Sequence, residues 1–170
     1  TGLAFGLTCC LLLVLYLNHE LSYDRFHTKA DRIVRVIMDY KIGDGGAKGN
    51  FTSTKVFPEF KRRFPEVEDG VRMSGGERLV KYNEKNIQEK NFLFVDSTFF
   101  NVFDFKLLSG TKDDVLKAPK TVVLAASTAK KYFGDENPVG KAMLIGSSED
   151  PYIVTGIVED CPANSQIQYS

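Results

Sequence analysis

Side chains able to do chemistry are few and scattered in this 170-residue sequence. His19 and His27 are its two histidines. A metal site needs several His, Cys or carboxylate ligands at close spacing, and neither histidine has them, so both read as structural or solvated. Cys9 and Cys10 lie inside an apolar run, and Cys161 stands alone beside Pro162. An isolated thiol without an activating partner is inert rather than nucleophilic, and three cysteines make no disulfide framework. Ser127-Thr128-Ala129-Lys130 has the Ser-x-x-Lys spacing in which a lysine can activate a serine. Its Ser-Asp-Asn and Lys-Thr-Gly companions are missing, and a serine ahead of an amphipathic helix is explained by capping. Gly43-Asp44-Gly45-Gly46-Ala47-Lys48-Gly49-Asn50 is glycine-rich enough to cradle a phosphate. A P-loop, however, opens a helix with Gly-Lys-Ser/Thr. Here Lys48 precedes Gly49, which leaves a mobile loop. Asn50-Phe51-Thr52 is a glycosylation sequon, meaningful only in a eukaryotic secretory pathway. No nucleophile, base and oxyanion donor assemble. The sequence therefore reads as non-catalytic, with no cofactor or metal of its own.

The charge pattern says more than the motifs. Lys+Arg and Asp+Glu both number 22, for a formal charge of zero. Nucleic-acid partners are thereby disfavoured, since such domains carry a basic excess. Every charged residue lies at Glu20 or later. Residues 3–17 read LAFGLTCCLLLVLYL, thirteen of fifteen apolar. A bilayer core takes about 20 such residues at about 1.5 Å each. With Thr1 rather than Met at the start, the expectation is a transmembrane helix over residues 1–18, truncated at its N-terminus. A buried helix of a soluble core and a secretory signal are the other readings, although no small-residue cleavage site follows Leu17.

Residues 19–170 read as one soluble domain. Val34, Val36, Met38, Tyr40 and Ile42 alternate, which predicts a strand over residues 33–42. Thr52, Ser53 and Thr54 offer caps for a helix ending near Phe64, before Pro65. Its Val56, Phe57, Phe60 and Phe64 share one side and are expected in the core. Strands follow over 67–73, 78–82 and 87–95, the last two joined by a turn at residues 83–86. Asp96 or Ser97 caps a short helix that buries Phe99, Phe100 and Phe103. Leu107-Leu108 reads as a strand, and Thr111 starts a single helical turn. A strand over 121–124 precedes a helix from Ser127 to Phe133, stopped by Gly134. Strands near 142–145 and 152–158 come last, with a turn over 147–151 between them. The final strand is apolar on both faces and so central in a sheet. The fold class is α+β, with mixed or antiparallel sheets and short helices.

These short motifs also fall in a familiar order. Gly2-Leu3-Ala4-Phe5-Gly6 and Glu20-Leu21-Ser22-Tyr23-Asp24-Arg25-Phe26-His27 come first, then Asp31-Arg32-Ile33-Val34-Arg35-Val36 and Phe64-Pro65-Glu66-Val67. After them come Val95-Asp96-Ser97-Thr98-Phe99-Phe100-Asn101-Val102-Phe103, Ala129-Lys130-Lys131-Tyr132-Phe133-Gly134 and Asn137-Pro138-Val139-Gly140-Lys141. Val154-Thr155-Gly156-Ile157-Val158-Glu159-Asp160, with Pro162, Asn164 and Ser165, closes the series. The order resembles the extracytoplasmic domain of FtsX/MacB-type ABC transporter permeases, especially those of Bacteroidetes-like bacteria, and covers nearly the whole chain. The resemblance implies a MacB-like periplasmic core domain over residues 19–170, held at the bacterial inner membrane and facing the periplasm. It implies that ATP is bound by a separate domain or subunit, and that the outer domain converts helix motion into export or other periplasmic work. Implied partners are membrane lipid, the ABC ATPase, a second permease in a dimer or pseudo-dimer, and a periplasmic adaptor. Relatives usually continue beyond the equivalent of Ser170, so a closing strand or helix is expected further on. A ligand-sensing domain of a membrane receptor and a membrane-tethered enzyme are the competing classes.

Residues 18–32 follow the apolar run with no Gly or Pro to soften the connection. A helix that simply continued would put Tyr23 and Phe26 on one face. Glu20, Tyr23, Asp24, Arg25 and Phe26 are therefore the candidate coupling residues between bilayer and domain, with an aromatic belt at the interface as the alternative role.

Overall fold

The computed structural model describes residues 2–43, 45–147 and 150–170. Thr1, Asp44 of the glycine-rich stretch, and Ser148 and Glu149 of the expected 147–151 turn lie outside the described residues. Helix α1 (Gly2–Leu21) runs unbroken for 20 residues and buries none of them. At 1.5 Å per residue it is about 30 Å long, the thickness of a bilayer core. It is the one helix among the described residues long and apolar enough to cross a membrane, with a mean hydropathy of 1.7. No residue of it is buried against the described domain, unlike the core helix of a soluble protein.

A short 3-10 turn, Ala30–Arg32, leads to β1 (Met38–Ile42) and β2 (Gly45–Gly49), an antiparallel two-stranded hairpin. The strand expected from residue 33 thus begins at Met38, and residues 33–37 belong to no strand. The expected glycine-rich loop is instead the second arm of the hairpin. Gly43, at φ +60°, takes the left-handed position that lets the chain turn back. The Tyr40 and Phe51 rings then meet at 5.7 Å. Helix α2 (Val56–Arg63) has no side-chain cap. Its apolar side is not core: Phe60 is 39% and Phe64 49% exposed.

The remaining strands form one six-stranded sheet: β3 (Met73–Tyr82), β4 (Lys85–Val95), β5 (Leu107–Ser109), β6 (Thr121–Ala125), β7 (Ala142–Ile145) and β8 (Tyr152–Val158). The order is β4-β3-β7-β8-β5, with β6 pairing β8 in parallel and every other pairing antiparallel. The strand expected over 67–73 does not form: residues 67–72 belong to no strand, and β3 begins at Met73 and runs on through the expected 78–82, irregular between Gly76 and Arg78. The β3–β4 turn is tight because Asn83 adopts φ +51°, which asparagine tolerates. As expected, β8 is central, with neighbours on both edges, and its Val154 is completely buried.

Two apolar clusters hold the sheet. Helix α4 (Ala126–Phe133) lays Tyr132 and Phe133 over Val80, Leu124, Met143 and Ile145. Helix α3 (Phe99–Val102) packs Phe99, Phe100 and Phe103 with Phe105, Val115 and Val158, and this second cluster reaches Phe26 and Tyr169. Helix α4 starts at Ala126, and its first turn is capped from a distance. The Ser127 amide donates to the Asp160 carboxylate at 2.9 Å, so Ser127 itself is not the cap.

Candidate functional site

The chain between α1 and the sheet is a compact knot, not a continuing helix. Ser22 ends α1 by donating its hydroxyl to the His19 carbonyl at 2.7 Å. Asp24 then turns left-handed at φ +56°. The conformation is unfavourable for most side chains, least so for Asp and Asn. Tyr23 and Phe26 consequently part. Tyr23 folds back edge-on to His19 at 5.5 Å, while Phe26 enters the domain against Phe105, also at 5.5 Å.

Two distant stretches grip this knot. On one side is the C-terminal segment after β8. The Asp24 amide donates to the Asn164 carbonyl at 2.9 Å, and the Asn164 amide group donates to the Ser22 carbonyl at 3.0 Å. One Asp24 carboxylate oxygen accepts the Ser165 hydroxyl at 3.2 Å and the Gln166 amide at 3.1 Å. Ser165 is 2% exposed, so its bond is partly shielded from bulk water, whereas the Gln166 bond is exposed. The segment is itself braced: the Cys161 thiol donates to the Ile167 carbonyl at 2.7 Å and the Tyr169 hydroxyl to the Glu159 carbonyl at 3.0 Å.

On the other side is the loop between α3 and β5. An Asp104 carboxylate oxygen accepts both the Thr28 amide at 2.7 Å and the Thr28 hydroxyl at 2.8 Å. These bonds hold its carboxyl below the usual range. In return the Asp104 amide donates to His27 Nδ1 at 3.0 Å. His27 is 5% exposed, and burial pushes its pKa down against the opposing pull of Asp24 and Asp104. Burial also raises the Cys161 thiol and the Tyr169 phenol, so neither is primed to react.

Of the five expected coupling residues, Asp24 and Phe26 engage the domain. Tyr23 faces back to the helix, and Glu20 and Arg25 are exposed. Helix α1 runs three residues past the expected boundary at 18, because Asn18-His19-Glu20 contains nothing to break it. The sequence reading did not single out His27, Thr28, Asp104, Asn164 or Ser165 as parts of a site. Their one available signal was that His27, Asn164 and Ser165 belong to the ordered series of motifs. Elsewhere, no group of three or more His, Cys, Asp or Glu is placed to hold a metal among the described residues.

The arrangement is built to hold two bodies together, an apolar helix and an α+β domain. The profile of the MacB-like periplasmic core domain matches residues 1–169. The chain belongs to this family. It is thus of the type that forms the periplasmic domain of ABC transporter permeases, and its α1 is a candidate membrane helix. Over 100 residues it is 34% identical to the macrolide export ATP-binding/permease protein MacB of Aggregatibacter actinomycetemcomitans, covering 54% of this chain and 15% of that protein. The MacB-like chain therefore spans a small part of the length of this relative. A domain assigned to a permease protein of Porphyromonas gingivalis superposes with a TM-score of 0.60 at 26% identity, over 78% of this chain and 57% of that one. The periplasmic region of MacB from Actinobacillus actinomycetemcomitans matches at 28% identity with a TM-score of 0.47, over 55% and 44% of the two chains.

Proposed function

We propose that this domain is a non-catalytic coupling element of an inner-membrane ABC permease, passing movement of α1 to the periplasmic sheet. The observation that carries the reading is the two-sided grip on residues 22–28. A flexible linker would absorb displacement, whereas a left-handed turn fixed through Asn164, Ser165, Gln166 and Asp104 forces the domain to follow the helix. Residues 2–21 sit in the lipid and residues 22–170 outside the cytoplasm. ATP is bound by a separate domain or subunit of the transporter. The working unit pairs two permeases, or two halves of one, and an adaptor in the periplasm is a natural further partner.

Relatedness to a macrolide exporter makes drug efflux the first assay. Several Gly-Ser residues inserted after Leu21, in the full permease, place a soft joint between helix and knot. Resistance to an exported drug should be abolished, while expression and ATP binding persist. Unchanged efflux would refute the coupling role and leave residues 22–28 as an anchor.

A further inference from the structure

His27 is an expensive way to fill its site. The ring is packed against Phe26 at 4.1 Å, Phe105 at 5.2 Å and Phe103 at 5.4 Å between centroids. Because Nδ1 accepts the Asp104 amide, the neutral ring carries its proton on Nε2. Nε2 is buried and has no hydrogen-bond partner among the described residues. An unpartnered buried donor is destabilising; a phenyl ring would remove it but would leave the Asp104 amide without its acceptor. Besides that acceptor, histidine adds the capacity to take up a proton near neutral pH.

Protonation would act on both halves of the grip. It turns Nδ1 from acceptor to donor, so the Asp104 amide loses its partner and meets a like dipole. The new cation must then recruit a carboxylate. Those that face it are Asp24 of the turn and Asp104 of the α3–β5 loop, and both are already engaged by Ser165, Gln166 and Thr28. Lys112 stands behind Asp104 at 4.0 Å and opposes a further positive charge. Cys161 and Tyr169 of the C-terminal segment keep their protons, since burial raises both.

We propose that His27 is a proton-operated catch: neutral, it locks the turn after α1 to the domain, and protonated, it releases the turn. The proposal rests on the coupling reading and adds regulation to it. The sign follows from linkage. Burial holds His27 below its ordinary 6.5 in the locked state. The released state therefore binds more protons, and locking is complete above about pH 6.5 and weakens as pH falls below it.

The test is hydrogen exchange on the full permease in lipid nanodiscs at pH 7.5 and 5.0, corrected for intrinsic rates. In the wild type, the amides of Asp24, Thr28, Asp104 and Gln166 should exchange several-fold faster at pH 5.0. In His27→Asn, whose side-chain oxygen can still accept the Asp104 amide, protection should be equal at both pH values. Exchange of the His27 ring C–H in the wild type reads its protonation directly, and its midpoint should coincide with the loss of amide protection. That comparison stands even where the variant does not fold. Full protection at pH 5.0, the same loss in His27→Asn, or a midpoint apart from that of His27 would each overturn the catch. None of these results touches the coupling reading, which the linker insertion tests at pH 7.5.

Discussion

Replacing Asp24 by alanine removes two kinds of stabilisation at once, and three variants separate them. The carboxylate holds the Ser165 hydroxyl and the Gln166 amide. Half-buried as it is, each bond contributes about 1 kcal/mol. The left-handed backbone at φ +56° adds about 1 kcal/mol against a Cβ that cannot bond locally. Asp24→Ala should therefore cost about 3 kcal/mol. Asp24→Gly relieves the backbone but not the lost bonds, and should cost about 2 kcal/mol. Asp24→Asn keeps an acceptor oxygen and tolerates the conformation, for a cost below about 1 kcal/mol. At roughly 2–4 °C per kcal/mol for a chain of this size, Asp24→Ala lowers Tm by about 6–12 °C. The chain has 7 Tyr and no Trp, so near-ultraviolet circular dichroism of the tyrosines follows the unfolding of the full chain in micelles. Efflux should fall in the same order, Asn least and Ala most. Alanine no worse than asparagine in both assays would show that the turn is not held as described.

Gly156→Ala should destabilise by about 1–3 kcal/mol through overpacking, read as a lower urea midpoint. The added Cβ would lie 2.7 Å from a Val115 methyl and 2.8 Å from the Ser109 carbonyl oxygen. Tyr132→Phe should cost about 2 kcal/mol in the same assay, because the Tyr132 hydroxyl donates to the buried Glu89 carboxylate at 2.6 Å. Lys131, also at 2.6 Å, keeps Glu89 paired, so the variant should fold. In acid, Asp104 contributes stability that is full above its unfolded value of 3.8 and is lost as pH falls through its lower folded value. Asp104→Asn should accordingly show a shallower loss of stability below about pH 3.8 in acid titrations. Leu12→Arg places a charge mid-helix at a cost of about 3 kcal/mol, and should raise the fraction of chain released from membranes by alkaline extraction.

Where contacts are local the sequence was readable. Phe99, Phe100 and Phe103 are all buried as expected, although Thr98 rather than Asp96 or Ser97 is the N-cap and its side chain bonds no helix amide, and the apolar faces of residues 152–158 marked a central strand. Gly134, at φ +64°, ends α4 as its position suggested. Failures came where a distant partner overrode the local pattern. Asp160 caps α4 from 33 residues away, which no reading of Ser127 reveals. Glycines at 45, 46 and 49 argued for a loop, yet pairing with β1 makes them a strand. Phe60 and Phe64 have helical spacing but pack on each other, at 5.6 Å, and join neither apolar cluster. The knot after α1 was hardest: Asp24 gives no sign of a left-handed turn until its partners are seen beside it. Periodicity carried the helix onward through Tyr23 and Phe26, and only tertiary contacts show where it stops.

The separation of the partners also sets an order of events in biosynthesis. Ser22 and Asn164 are 142 residues apart. At about 5–20 residues per second, the ribosome finishes one side of the grip roughly 7–28 s after the other. Sheet strands emerge during that interval with the turn still open on its C-terminal side. In the proposed topology α1 has ample time to enter the bilayer and settle its depth before the last segment fastens onto it. Closing the joint is then a late checkpoint: a chain stalled or clipped before Asn164 can own an inserted helix and a partly formed sheet, yet have nothing to fasten them together.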